Sequence, residues 1–188
     1  QAGNLKPRIF RLEKDKAMIN RLGFNNDGMD AVSERLSKCP PEDFFGINVG
    51  PNRDTKDKIS DFIKCFDKLN KFASYITVNI SSPNTENLRN FHDEGKLQDL
   101  LKTISEKKKN LKTNIPIVVK ISPDISETQI NLISEILLEN DISGIIIANT
   151  SESSREVLKD IQKYQKGGLS GKPIEKKSNI LINKFYNL

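Results

Sequence analysis

Hydrophobic positions along the chain keep two different periods, and the two alternate. Residues 44–49 (FFGINV), 75–80 (YITVNI), 115–121 (IPIVVKI) and 144–147 (GIII) are short apolar runs rich in β-branched and aromatic side chains, the pattern of strands covered on both faces. Between them the spacing becomes helical. Ile59, Phe62, Ile63, Phe66 and Leu69 form one stripe, Leu97, Leu100, Leu101, Ile104 and Leu111 a second, and Ile130, Ile133, Ile136 and Leu137 a third, the last preceded by Ser126 and Gln129 at capping-box spacing. Ahead of these, residues 8–12 alternate as a short strand, and residues 19–28 (INRLGFNNDG) carry turn chemistry after a short helical stretch. Met29, Val32 and Leu36 predict a helix closed by Pro40 and Pro41. At the far end a glycine loop, 167–171 (GGLSG), leads into a helix from Pro173 to about Phe185, where proline suits the first turn.

Strands alternating with amphipathic helices predict parallel βα units in an α/β fold. A doubly wound sheet would carry a phosphate loop after its first strand, and neither a GxGxxG nor a Walker sequence stands there. The (β/α)8 TIM barrel fits better, but it uses eight strands and about 250 residues. The 188 residues supply four clear βα units, which predicts a single partial-barrel domain over 1–188, with N-terminal and C-terminal parts of the barrel lying outside it.

Composition narrows the class. With 36% hydrophobic residues the chain suits one soluble folded domain. It opens on Gln, so the natural start is read as missing or processed; no apolar run approaches the ~18 to 20 residues of a membrane span, and neither a signal peptide nor a transmembrane helix is predicted. The formal charge of +5 comes from 30 basic against 25 acidic residues, much of the excess in helical stretches such as 106–112 (EKKKNLK). A solvated helix face accounts for it, and no nucleic-acid partner is expected. Cys39 and Cys65 fit no metal motif and are read as reduced thiols. The single histidine, His92, precludes a histidine-based triad or a multi-histidine metal site and is read as a structural loop or helix-start residue; no metal is expected.

In barrels, reactive groups gather at the carboxyl ends of the strands. The four strands carry Asn48, Asn79, Lys120 and Asn149 at or near those ends. Lys120 follows Ile117, Val118 and Val119, and an ammonium drawn out of water there calls for an anion or several acceptors. Amides and one cation suit a planar heterocycle with donors and acceptors on its edge, such as a flavin, whose reduced form collects negative charge near one edge. Residues 75–85 (YITVNISSPNT) run from a strand into a polar turn. Ser81 and Ser82 there are turn-formers on ordinary grounds; a hydroxyl acts as proton acceptor only if local donors or a water chain remove its own proton.

The segments KPRIFRL (6–12), INRLGFN (19–25), GINVG (46–50), VNISSPNT (78–85), VKISPD (119–124), ANT (148–150) and GGLSGKP (167–173) together resemble, in order and spacing, the class 2, quinone-dependent dihydroorotate dehydrogenases. VNISSPNT with GGLSGKP is the most specific pair. The resemblance implies an FMN-containing barrel that oxidises dihydroorotate to orotate in pyrimidine biosynthesis and passes electrons to a quinone. It also implies peripheral attachment to an inner membrane, on the cytoplasmic face in bacteria or in mitochondria, through an N-terminal element outside this chain. By the same resemblance Ser82 is the catalytic base; class 1 relatives use a cysteine, and this turn has none. Asn20, Arg21, Leu22, Gly23, Phe24, Asn79, Asn84, Asn149 and Thr150 would surround the pyrimidine. Asn20, Asn48, Asn79, Lys120, Ala148 and Gly171 would meet FMN. The chain departs from the family at Ala148, usually threonine, at Pro51, usually lysine, at Glu13, usually proline, and at Glu86 and Asn87, usually proline and glycine. None of these removes the base. With the quinone-tunnel helices and the phosphate-binding last strands outside it, the chain alone is expected to hold FMN weakly and to turn over no substrate; the alternative is a non-catalytic remnant or a basic interaction module.

Overall fold

The computed structural model describes residues 2–84, 88–153 and 155–188, with the backbone alone at Glu94. Thr85, which ends the 75–85 stretch, and the Glu86–Asn87 pair lie outside the described residues. In chain order the elements are β1 (Ile9–Leu12), β2 (Ala17–Asn20), α1 (Met29–Lys38), β3 (Gly46–Val49), α2 (Lys58–Leu69), β4 (Tyr75–Asn79), α3 (Glu94–Asn110), β5 (Ile117–Lys120), α4 (Glu127–Glu139), β6 (Gly144–Ile146), β7 (Gly168–Gly171) and α5 (Lys172–Tyr186). Strands β3, β4, β5 and β6 form one parallel sheet in sequence order, the arrangement of consecutive βα units in a barrel wall.

Strand alternation decides which side chains meet the helices. Ile47, Val49, Ile76, Val78, Ile117 and Val119 share a core with Phe62 and Phe66 of α2, Leu97, Leu100, Leu101 and Ile104 of α3, and Ile130 and Ile133 of α4. Phe62 and Phe66 are fully buried, and each contributes about 1.5–3 kcal/mol by leaving water. The opposite face is different. Register places Asn48 beside Thr77 and Val118, and Asn79 beside Lys120 and Ile146. Thr77 and Asn79 are buried, Lys120 is half-buried and Asn48 is exposed, so three of the four polar residues read at the strand ends, Asn48, Asn79 and Lys120, lie on one side of the sheet.

A second sheet corrects two readings. Residues 19–28 begin as the end of β2 rather than as turn alone, and the glycine loop at 167–171 is largely β7; β2 lies between β1 and β7, antiparallel to both. The segment ahead of β2 forms only one 3-10 turn, Glu13–Asp15. The cause is non-local: β2 has four residues, and its partner β7 lies about 150 positions along the chain, with Met18 opposite Ser170. Gly167 has φ 133°, and a Cβ there would stand 2.3 Å from the Asn20 carbonyl oxygen, so glycine is what lets the strands approach. An isolated antiparallel bridge between Ser151 and Leu169 ties this sheet to the segment after β6.

Candidate functional site

The turn after β4 is built from side chains that bond to one another. Asn79, 4% exposed, closes β4, and its Oδ1 accepts from the Ser81 hydroxyl at 2.8 Å and from the Ser81 N–H at 3.2 Å. Ser81 Oγ in turn accepts from Nδ2 of Asn149 at 2.9 Å. Asn149 Oδ1 accepts the Thr150 N–H at 2.8 Å, and the Asn149 N–H is held by the Ile121 carbonyl at 3.0 Å. Two strand-end asparagines are therefore locked through one serine, and among the described residues no acceptor takes Asn79 Nδ2.

Ser82, 7% exposed, accepts the Asn84 N–H on its Oγ at 3.2 Å. An amide donor on that oxygen favours its deprotonated form. Asn84 Nδ2 donates to the Asn20 carbonyl at 3.3 Å, which brings the end of β2 to the same turn. Thr150 packs against Gly168: a Cβ on that glycine would stand 2.5 Å from Thr150 Cβ and 3.1 Å from Pro83 Cγ. Asn20, Asn79, Ser82, Asn84, Asn149 and Thr150 thus form one connected group at the carboxyl ends of β2, β4 and β6.

Other anticipated residues lie at the edge of that group, which Leu22 meets through its N–H, donated to Asn20 Oδ1 at 3.5 Å. Arg21 turns outward, its guanidinium 4.6 Å above the Phe10 ring and donating to Gln165 Oε1 at 3.3 Å and the Lys166 carbonyl at 3.2 Å. The Leu22 carbonyl accepts from the Asn4 N–H at 2.9 Å. Gly23 and Phe24 both have positive φ, 72° and 54°, and that bend carries the Phe24 ring over Gly50 at the end of β3. Gly171 is exposed and pairs with Ala17, at the opposite end of β7 from the Gly168–Asn20 pair, roughly 10 Å away at strand rise.

Lys120 holds the only ammonium on the polar face formed by the β3–β6 register, and no hydrogen bond or ion pair engages it among the described residues. Burial alone lowers its pKa from the ordinary lysine value. A partly desolvated cation beside Asn79, with Asn48 on the same face and Ala148 half-buried beyond β6, is a donor set that fits an electron-rich ring edge. His92 does other work. It is 2% exposed; Nε2 accepts the Ser122 N–H at 3.2 Å, so Nδ1 carries the proton and donates to the Arg89 carbonyl at 2.8 Å. Among the described residues no group of three or more His, Cys, Asp or Glu could hold a metal, and Cys39 and Cys65 are free thiols.

Parallel βα units with a polar cluster at their carboxyl ends define a segment of an α/β barrel of the TIM class. The family model described as dihydroorotate dehydrogenase matches residues 1–188. Proteins named dihydroorotate dehydrogenase (quinone) from Idiomarina loihiensis and Buchnera aphidicola subsp. Schizaphis graminum are 40% and 43% identical over 97% and 99% of this chain, covering 56% and 57% of their own lengths. A solved structure described as DHODH in complex with ferulenol, from Eimeria tenella, aligns with 100% of this chain and 57% of its own at TM-score 0.93 and 32% identity. The chain belongs to the dihydroorotate dehydrogenase family, and it spans about half the length of the relatives it matches.

Sequence reasoning missed the residues behind this cluster. Arg89 and Asp124 reach the same loops from the far side. The available signal was a carboxylate four residues after the β5 end, in the SPD turn.

Proposed function

We propose that the chain carries the substrate half of a quinone-dependent dihydroorotate dehydrogenase, which oxidises dihydroorotate to orotate in pyrimidine biosynthesis. The single observation that carries this reading is the interlocked group of Asn79, Ser81, Asn84 and Asn149 around the buried Ser82. Asn79, Asn84, Asn149 and Thr150 offer amide and hydroxyl groups to the N–H and C=O edges of the pyrimidine. Asn20 shapes the same wall through Asn84, with Leu22, Gly23 and Phe24 continuing it and Arg21 joining through its backbone while its guanidinium is held by Phe10 and Gln165. Ser82 Oγ takes the proton from C5, helped by the N–H that already points at it.

Asn48, Asn79 and Lys120 would hold FMN on the polar face of the parallel sheet, with backbone at Asn20, Ala148 and Gly171; when bound, FMN supplies the acceptor for hydride from C6 and hands electrons on to quinone. Lys120 stabilises negative charge there. No helix among the described residues is long and apolar enough to cross a membrane, and the reading places attachment to an inner membrane in the part of the relatives that this chain does not span.

The test isolates proton removal from hydride transfer. With dihydroorotate in D2O, the chain is expected to accelerate deuterium entry at C5, followed by proton NMR, and Ser82→Ala is expected to lower that rate by roughly 100-fold or more while orotate still shifts the amide resonances of Asn79 and Asn149. Exchange no faster than buffer, or equal in Ser82→Ala, would overturn the assignment.

A further inference from the structure

The side-chain network facing the ligand has a second layer behind it, centred on one guanidinium. Arg89 donates Nε to the Ser81 carbonyl at 3.4 Å, Nη2 to the Thr150 carbonyl at 3.0 Å, and Nη1 to Asp124 Oδ2 at 3.0 Å and Glu152 Oε2 at 3.1 Å. The first carbonyl belongs to the peptide that leads into Ser82, and the second follows directly on Asn149 and Thr150. A single planar group therefore spans the segments after β4, β5 and β6.

Asp124 is itself fixed from several sides. It accepts from Lys177 of α5 at 2.5 Å, from the Ser151 hydroxyl at 2.6 Å, from the Ser153 hydroxyl at 3.0 Å and from the Glu152 N–H at 2.8 Å. Burial acts to raise its pKa, but the bonds from Lys177, Ser151 and the Glu152 N–H outweigh that and hold the carboxyl below its ordinary range. The Arg89 and Asp124 side chains are 22% and 16% exposed. That degree of shielding, and the number of directed bonds, set this pair apart from the surface ion pairs elsewhere in the chain.

We propose that Arg89, held in place by Asp124, is a positioning residue that fixes Ser82 relative to Asn149 and Thr150. The proposal rests on the reading of Ser82 and the asparagines as the dihydroorotate site. The guanidinium touches backbone oxygens and acts through the residues they belong to. Its fork is what the geometry requires: two carbonyls and two carboxylates surround it, and a lysine ammonium on a flexible stem cannot reach all of them.

Arg89→Lys is the informative substitution, because it keeps the charge beside Asp124 and discards the fork. It is expected to leave the thermal midpoint within a few degrees of the parent chain while C5 deuterium entry falls roughly 10- to 100-fold, the size of losing hydrogen bonds to a charged group. In a Ser82→Ala background the same change is expected to weaken orotate binding and to have no further effect on C5 exchange. Retained C5 exchange and orotate affinity within about twofold of the parent would overturn the proposal.

Amide exchange supplies a readout independent of the substrate. In Arg89→Lys the Ser81, Asn84 and Thr150 amides should lose about 10-fold protection while those of Met18 and Ile19 in β2 stay unchanged; equal protection at all five sites would overturn positioning even if the parent chain bound no orotate. If Arg89→Lys does not fold, Lys177→Met carries the test, since it removes the outer anchor of Asp124, together with a bond to Ser153 Oγ, and leaves Arg89 itself in place. It should move the same three amides in the same direction by about threefold, and no change would again overturn the proposal.

Discussion

His92 holds its ring between two backbone groups with opposite demands: Nδ1 donates to the Arg89 carbonyl and Nε2 accepts the Ser122 N–H. A second ring proton would displace the Ser122 bond, and desolvation, the leading cause, lowers the imidazole pKa from its ordinary value. With the folded pKa below the unfolded one, the unfolded chain binds protons first as pH falls. The stability that the neutral ring contributes is complete above the unfolded value near 6.5 and is lost as pH falls through the folded pKa. Urea midpoints measured from pH 7 to pH 5 should therefore drop in the parent and drop less in His92→Gln. At this scale Asn79, Asn149 and Lys120 were legible, because a polar residue ending an apolar strand stands out from its surroundings. Arg89 was not, since its role depends on carbonyls and carboxylates from three separate loops. The groups that hold the Arg21 guanidinium, the Phe10 ring and Gln165, are partners that no local pattern reveals.

Helices α2 and α4 follow from their own sequences. Asp57 caps α2 by accepting the Ser60 N–H at 3.0 Å, and Ser126 with Gln129 forms the reciprocal capping box at the start of α4. Ser126→Ala is expected to cost about 1 kcal/mol, read as a lowered denaturation midpoint with unchanged denaturant dependence. The strands of the parallel sheet were equally readable, since they are buried against those helices and show it as apolar runs. β2 and β7 lacked that signal. The four residues AMIN pair locally with β1, but the glycine-rich GLSG becomes a strand only by adding to β2 from far along the chain, and that pairing places Gly168 against Thr150. Gly168→Ala would push a methyl into the Thr150 side chain and should destabilise the chain by about 1–3 kcal/mol, with the Thr150 amide losing protection before those of β5.

For the whole molecule, the pattern of alternating strands and helices established four parallel βα units and their order, and the position of the polar cluster at their carboxyl ends. The way the first and last strands join beside that cluster came only from the three-dimensional arrangement. The parallel sheet forms between neighbours in sequence, each crossover closing a loop of a few tens of residues. The antiparallel sheet joins Met18 to Ser170, positions separated by 152 residues, and loop-closure entropy disfavours such contacts until the intervening chain is compact. The wall contributed by Asn20 is therefore the last piece of the site to assemble during refolding. In pulse-labelled hydrogen exchange, amides of Ile76 and Val119 should gain protection ahead of those of Met18 and Ile19. For an interval the refolding chain would hold a formed β4 turn with one side still open, and under the proposed function a pyrimidine present at that moment would act as a template for closing it.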